Sequence, residues 1–231
     1  MEPGSQEQDH RSVTQTGSSA EYEAKHGRLP AIIGTFTGGS FHVLDPRPSE
    51  VRIEDIAHAL GMIGRYTGHC RELWSVGAHC LEVAARIKDD GGSPYEQLCG
   101  LLHDASEAYL VDIPRPFKPD TYFRVGRATD LRDRARLVPA YESYYQAEDR
   151  VQRAIFAAYH LPFPEATSTA EKVVKRVDDG IVYDEVANFF SPGFMWERYA
   201  INQAKHNLVS LVPAAAEQLY LRRFHLLLGL R

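Results

Sequence analysis

The segment from Leu101 to Asp112 combines apolar residues with a high density of groups that bind metal ions. One histidine and three acidic residues fall within ten positions, namely His103, Asp104, Glu107 and Asp112. Burying such charges without partners is costly, and a shared cation is the simplest compensation. The alternative is a core helix with a hydrogen-bonded histidine and a solvated acidic edge, which is the common outcome for an isolated His-Asp pair.

The flanking sequence predicts that this segment is helical. Ser93 to Glu96 forms a capping box with proline at the first helical position, a strong start signal for a helix that continues through the motif. On that helix His103 and Glu107 are four residues apart and Asp104 and Glu107 three apart, so all three lie toward one side. Prolines just beyond Asp112 end it.

The rest of the chain predicts a mainly α-helical domain with one small N-terminal hairpin. Apolar and aromatic residues around Gly38-Gly39 predict the hairpin between residues 32 and 44. Apolar positions at three- and four-residue spacing predict further helices. These cover residues 52–64, the stretch between Ser75 and Gly91, residues 140–160, the stretch after the capping box Ser168 to Glu171, and residues 213–229. Ligands far apart in sequence can converge in such a bundle.

Two stretches lie outside this helical pattern. Residues 1–29 are rich in Ser, Gln, Glu and Gly, which predicts a flexible tail before a domain over residues 30–231. The segment from Lys118 to Pro139 carries many Arg and Asp residues. We expect a solvated loop or short helix there. A second interpretation is a lid over an anionic ligand.

The composition is typical of an ordinary globular domain. Of the 231 residues, 44% are hydrophobic and 25% charged, and 26 basic against 31 acidic residues give a net charge of -5. This balance argues against nucleic acid as a partner. Three cysteines without CxxC spacing argue against a disulfide framework or a thiolate zinc site. Without a membrane-length apolar run or a signal-peptide pattern, we expect no membrane partner and a cytoplasmic location.

Four separated segments resemble the HD-domain metal-dependent phosphohydrolases. The segments are Ser75 to His79, Leu101 to Ala108, Asp112 to Lys118 and Lys175 to Asp178, in the family's order. They are most similar to the branch containing bacterial 5′-deoxynucleotidases and phage dATP triphosphohydrolases, and the similarity covers about residues 31–190. The resemblance implies an all-α HD-domain bundle and a homo-oligomer. A phage-encoded member would act in the host cytoplasm.

The resemblance further implies that His79, His103, Asp104 and Asp178 bind one divalent metal ion. Two imidazoles and two carboxylates suit Zn, Co, Mn, Fe or Ni without deciding among them. Mg could accompany a triphosphate substrate. A bound ion would polarise a phosphoryl oxygen and lower the pKa of a bound water.

Two acidic residues of the motif are implied to be catalytic. Glu107 resembles the family's catalytic glutamate, and together with Asp112 it would manage protons for the attacking water or the leaving oxygen. Each has a simpler alternative. Glu107 could be a solvated helix carboxylate, and Asp112 could cap the loop before Pro114.

Four residues are candidates for contacting a nucleotide substrate. Arg65 lies near the position of the family's phosphate-binding arginine, and Lys118 and Lys175 match lysines that reach the phosphate chain in triphosphate-cleaving members. The alternative for each lysine is ordinary solvation. Trp74 could stack on a base or fill the core. The three cations together exceed what one monophosphate requires.

The resemblance therefore implies hydrolysis of a purine deoxynucleoside triphosphate, dATP first, to deoxynucleoside and triphosphate. One alternative is a 5′-deoxynucleotidase acting on deoxynucleoside monophosphates. Another, from a different class, is a nucleotide-binding regulator without catalysis. Glu107 argues against the regulator, because a pure sensor would not need that carboxylate.

Overall fold

The structure is a computed structural model that describes residues 31–129, 137–191, 193 and 204–229. The predicted tail over residues 1–29 lies outside this range. The chain divides into two units, Ala31–Arg124 with Tyr141–Arg231, and Met1–Pro30 with Val125–Ala140. Every candidate site residue belongs to the first unit. Among the described residues, no helix combines the length and apolar character needed to cross a membrane.

The predicted N-terminal hairpin is confirmed. Strands β1 (Ile32–Gly34) and β2 (Ser40–His42) pair antiparallel, with Ile33 opposite Phe41. The turn between them needs a glycine, because Gly38 has a φ of 82°. Phe41 is fully buried and stacks on Tyr109 with ring centroids 3.7 Å apart. This contact fastens the hairpin to the core.

The mainly helical architecture is also confirmed. Short 3-10 turns lie at Pro48–Glu50 and Lys118–Asp120, and a tight turn with left-handed residues covers Arg65–Gly68. The described helices are α1 (Ile53–Met62), α2 (Val76–Asp89), α3 (Pro94–Leu102), α4 (Glu107–Leu110), α5 (Tyr144–Ala158), α6 (Thr169–Phe189) and α7 (Pro213–Leu228).

Helix α2 lies at the centre of the bundle and packs against α1, α3, α6 and α7. Its pairing with α3 is close because a Cβ on Gly100 would lie 2.5 Å from Cδ1 of Ile87. The Tyr220 hydroxyl of α7 donates a 2.7 Å hydrogen bond to the carbonyl of Leu101. The segments that carry the predicted ligands are therefore neighbours in space.

The prediction of one continuous helix through the motif is wrong. Helix α3 ends at Leu102, and residues 103–106, here named the ligand turn, separate it from α4. Hydrogen bonds of the tighter i to i+3 type run through this turn, for example from the Glu107 amide to the Asp104 carbonyl at 3.0 Å. Gln152 of α5 bonds the carbonyls of Leu102 and His103, which a continuing helix would use itself.

The prediction of a loop or short helix after Lys118 is wrong as well. Strands β3 (Tyr122–Thr129) and β4 (Leu137–Ser143) form a second two-stranded sheet. Aromatic and β-branched residues favour strands, and the abundance of charge concealed this preference. The predicted helix over residues 140–160 begins at Tyr144, where Ser143 and Gln146 form a capping box. The lid interpretation stays a prediction, since residues 130–136 lie outside the described residues.

Candidate metal centre

Four side chains predicted as metal ligands converge on one point. The His79 Nε2 atom lies 3.2 Å from His103 Nε2 and 3.1 Å from Asp178 Oδ1. Asp104 Oδ2 lies 3.2 Å from His103 Nε2 and 3.7 Å from His79 Nε2. Metal–ligand bonds of about 2.1 Å would place such atoms about 3.0–3.4 Å apart around a tetrahedral or octahedral ion. His79, His103 and Asp104 therefore form a group that could hold a metal ion, and Asp178 Oδ1 lies beside this group.

Three elements supply these ligands. His79 is in the first turn of α2. Ser75 caps this helix, and its side chain accepts a 3.2 Å hydrogen bond from the Ala78 amide. His103 and Asp104 lie in the ligand turn, and Asp178 lies in the middle of α6. The cluster is a junction between segments that are up to a hundred residues apart in sequence.

Both imidazoles are held in the tautomer that metal binding needs. His79 Nδ1 lies 2.7 Å from a carboxylate oxygen of Glu185, and His103 Nδ1 lies 2.8 Å from the Gly100 carbonyl. These oxygens only accept hydrogen bonds, so each Nδ1 donates. The Nε2 lone pairs are then free to bind a cation.

Glu185 is the centre of a buried cluster that the sequence analysis did not identify. Besides His79, its carboxylate accepts hydrogen bonds from the Trp74 indole at 2.7 Å and from the Tyr66 hydroxyl, and Arg65 Nε lies 3.2 Å away. Burial alone would raise the pKa of Glu185, but Arg65 and His79 outweigh it and lower the pKa to about 2. The carboxylate is ionised and orients His79.

A signal for Glu185 was present in the sequence. It follows Asp178 by seven residues, which is two helical turns, so both residues lie on the same face of α6. A carboxylate at that spacing from a predicted ligand, within an apolar stripe, indicates a supporting role.

Glu107, Lys118 and Glu148 form an acid–base group beside the metal centre. Lys118 Nζ lies 3.3 Å from Glu107 Oε1 and 2.9 Å from Glu148 Oε1. The second oxygen of Glu107 is buried and has no hydrogen-bond partner among the described residues. Burial and the charges of Asp104 and Asp112 raise the pKa of Glu107 well above its ordinary value. Glu107 therefore holds a proton more readily than an exposed glutamate does.

Asp112 follows a strained residue. Val111 has a φ of 71°, which is rare for a β-branched side chain and costs conformational energy. The Tyr144 hydroxyl donates a 2.7 Å hydrogen bond to the Val111 carbonyl and holds this conformation in place. Burial raises the pKa of Asp112, so two neighbouring carboxyls both have raised pKa values.

The loop after α1 delivers Arg65 to the centre. Arg65 Nη1 lies 3.3 Å from Asp104 Oδ2, and its backbone amide donates to the Trp74 carbonyl at 2.8 Å. Tyr66 and Thr67 have φ values of 56° and 53°, so the loop holds two non-glycine residues in the left-handed region. The strain is stored next to the candidate phosphate-binding arginine.

The four substrate candidates are placed differently. Arg65 and Lys118 lie at the acidic centre, as described above. The Lys175 side chain is 65% exposed and pairs with Asp179 at 3.0 Å. Trp74 is buried and stacks on Phe189 with centroids 4.6 Å apart, which is the core-filling alternative. The structure thus brings two of the four to the metal centre.

No family model matches the chain. The uncharacterized protein RCAP_rcc00048 of Rhodobacter capsulatus is 29% identical over 160 residues, which is 66% of this chain and 71% of that protein. The uncharacterized protein YfdR of Escherichia coli is 28% identical over 204 residues, which is 87% of this chain and 98% of that protein. Neither name states an activity.

Proposed function

We propose that this protein is a metal-dependent nucleotide phosphohydrolase of the HD-domain type. The preferred reaction converts a purine deoxynucleoside triphosphate, dATP first, to the deoxynucleoside and triphosphate. The observation that most supports this proposal is the convergence of His79, His103, Asp104 and Asp178. The distances from the two Nε2 atoms to each other and to the carboxylate oxygens are 3.1–3.8 Å. The choice of substrate rests on the resemblance of the four sequence segments.

A divalent ion bound by these four residues would polarise the α-phosphoryl group and lower the pKa of water. Arg65, with Nη1 3.3 Å from Asp104, would bind the non-bridging phosphate oxygens. Lys118 can exchange its contacts with Glu107 and Glu148 for the phosphate chain. His79 and Glu185 are fully buried beside the centre, and this burial strengthens their charge interactions.

The proton transfers are assigned to the carboxyl pair. The oxygen of water forms a bond to the α phosphorus, while the bond from phosphorus to the 5′ oxygen breaks. Glu107, when ionised, takes one proton from the attacking water, and Asp112, when protonated, gives one to the leaving 5′ oxygen. The raised pKa values make Glu107 a stronger base when it is ionised and let Asp112 keep its proton more readily until the leaving oxygen takes it.

A 5′-deoxynucleotidase acting on deoxynucleoside monophosphates is the second candidate. It is favoured by the positions of the two lysines, because Lys118 is occupied by two carboxylates and Lys175 is exposed on an ion pair with Asp179. Of the three predicted phosphate-binding cations, this leaves Arg65, which itself pairs with Asp104 and Glu185, for one phosphate group at the centre. Water would then attack the phosphorus of the single phosphate group, and Glu107 and Asp112 would carry out the same proton transfers.

The test uses the full chain after removal of metal and reloading with Zn, Co, Mn, Fe, Ni or Mg ions separately. Each sample is given nucleoside mono-, di- and triphosphates, and products are identified by chromatography. Tripolyphosphate identifies the triphosphohydrolase, and inorganic phosphate from monophosphates identifies the second candidate. Tight nucleotide binding without turnover under every ion would contradict both enzymes and favour a regulator.

A matched pair of variants ties activity to the centre. We expect Asp104→Ala to lose both metal retention and hydrolysis. Asp149→Ala removes an exposed carboxylate of α5 that pairs with Arg153, and it should keep both properties. Undiminished turnover by Asp104→Ala would refute the assignment.

A further inference from the structure

The side chain of Gln152 replaces the helical hydrogen bond that is missing between α3 and α4. In a continuing helix the Ser106 amide would donate to the Leu102 carbonyl. Here the Ser106 amide donates to Gln152 Oε1 at 3.1 Å, and Gln152 Nε2 donates to the Leu102 carbonyl. The same Nε2 donates to the His103 carbonyl at 3.2 Å. One carboxamide thus bonds both the donor and the acceptor of the missing helical hydrogen bond.

This replacement holds the backbone of the turn that carries His103 and Asp104. Adjacent residues on a regular helix project about 100° apart and do not face each other. In the ligand turn, His103 Nε2 and Asp104 Oδ2 lie only 3.2 Å apart. Two consecutive residues of this turn can therefore face the same ion.

Gln152 is suited to this task by chemistry and by burial. Its residue is 8% exposed, and its carboxamide carries a donor and an acceptor at the same distance from the backbone. A carboxylate would keep the bond from Ser106 but present an acceptor to the carbonyls of Leu102 and His103. An apolar side chain would leave all three backbone groups without this partner inside the protein.

We infer that Gln152 is a positioning residue. Through its hydrogen bonds to the backbone of Leu102, His103 and Ser106, it fixes the conformation of the ligand turn and so the geometry of the metal centre. The inference rests on the proposed function for its metal, but it concerns binding and needs no turnover. If so, α5 contributes to the affinity for the metal ion although it carries none of the four predicted ligands. Loss of Gln152 should lower the affinity for metal rather than only the stability of the fold.

Gln97 provides the matched control. It is also 8% exposed, its Nε2 donates to the Gly92 carbonyl at 2.7 Å, and its Oε1 accepts from Arg223 at 2.9 Å. Gln152→Met and Gln97→Met therefore each remove a buried carboxamide and keep side-chain length. Only the first touches the ligand turn.

The experiment titrates metal-free full-length protein with Co²⁺ without nucleotide, by calorimetry and by the visible absorption of the bound ion. We expect Gln152→Met to bind Co²⁺ about 10- to 100-fold more weakly than the wild type, with an altered spectrum, since supporting residues of metal ligands act in this range. Gln97→Met should stay within about twofold of the wild type, because it leaves those supporting contacts in place. Should Gln152→Met not fold, Gln152→Glu keeps the Ser106 bond and should show a smaller loss of the same kind.

The outcomes separate this inference from the proposed function. Weaker Co²⁺ binding by Gln152→Met with no hydrolysis by the wild type would support the positioning role and refute the enzyme. Active wild type with equal Co²⁺ affinity in both methionine variants would overturn the positioning role alone. Failure of the wild type to bind Co²⁺ or any other divalent ion would overturn both.

Discussion

At the scale of single residues, the Glu185 carboxylate connects the metal centre to the loop that carries Arg65. It is fully buried, so its charge would be costly without partners. The Arg65 guanidinium, the Trp74 indole and the His79 ring supply them. One ionised group therefore fixes both a ligand orientation and the position of the arginine.

Replacing this charge should weaken metal binding without removing a ligand. We expect Glu185→Gln to lower Co²⁺ affinity about 10- to 100-fold, because a neutral amide orients His79 less firmly and reduces its basicity. Calorimetric titration of metal-free protein measures the effect. Asp184→Asn changes the adjacent buried carboxylate and should leave Co²⁺ affinity near that of the wild type. Equal affinities in Glu185→Gln and wild type would contradict the role assigned here.

The sequence was informative about residues whose own chemistry is distinctive. His79, His103, Asp104 and Asp178 were identified by type and by resemblance, and the structure brings their ligand atoms together. Gln152 was not identified, because a single glutamine in an amphipathic helix gives no signal of its own. Its role depends on which turn the fold places against α5, and no local pattern states that.

At the scale of elements, the close approach of α1 and α2 sets the position of His79. A Cβ on Gly77 would lie 3.2 Å from the Gly61 nitrogen and 3.3 Å from the Leu60 carbonyl oxygen. Both are backbone atoms, so they cannot move aside as a side chain would. Only glycine lets α2 begin this close to α1.

The close packing of α1 and α2 predicts that alanine has opposite effects on stability at two helical glycines. Gly77→Ala should lower the free energy of unfolding by roughly 1–3 kcal/mol through overpacking. Gly180→Ala, where nothing lies within 4 Å of the added Cβ, should raise it by up to about 1 kcal/mol through helix propensity. Chemical denaturation of both variants measures the two changes. A stabilised Gly77→Ala would show that the helices can separate without cost.

Asp184 links α6 to the segment before α7. It accepts hydrogen bonds from the amides of Lys205 and His206 and pairs with Arg86 of α2 at 2.6 Å. Burial alone would raise the pKa of Asp184, but the amides of His206 and Lys205 and the Arg86 guanidinium outweigh it and leave the pKa below its ordinary value. The ionised form of Asp184 is therefore more stable in the folded chain than in the unfolded chain.

The sign of the resulting pH dependence follows from that lowered pKa. Because the folded state holds the proton less tightly, the contribution of Asp184 is complete above its unfolded pKa and is lost as the pH falls below about 4. We expect Asp184→Asn to lower stability at pH 7 by roughly 1–3 kcal/mol. The difference from wild type should shrink toward pH 2 in denaturation curves. A difference that is constant with pH would contradict this assignment.

The helices were predicted more accurately than their interruptions. Capping signals at Ser75 and Ser93 marked true helix starts, because a cap is satisfied by residues three positions away. At the end of α3, the Leu102 carbonyl accepts a hydrogen bond from Gln152, fifty residues further along, and no local signal reports that contact. The β3–β4 sheet escaped prediction for a related reason, since each strand needs a partner that a local window does not contain.

At the scale of the whole molecule, the predicted metal ligands come from α2, the ligand turn and α6, which lie next to one another in the bundle. A cation bound there would cross-link three segments of the folded chain. The unfolded chain holds these ligands far apart and binds the ion poorly. Metal binding should therefore stabilise the fold, independently of the proposed reaction.

This linkage predicts a concentration-dependent rise in the thermal unfolding temperature. A free Co²⁺ concentration of 100 times the dissociation constant contributes about 2.7 kcal/mol. For a chain of this length that corresponds to a shift of about 5–10 °C, measurable by calorimetry or circular dichroism. A chelator should reverse the shift, and Asp104→Ala should show none, because it lacks one of the four ligands. An equal shift in Asp104→Ala and wild type would place the stabilising ion elsewhere on the molecule, and the centre at His79 would then need another explanation for its geometry.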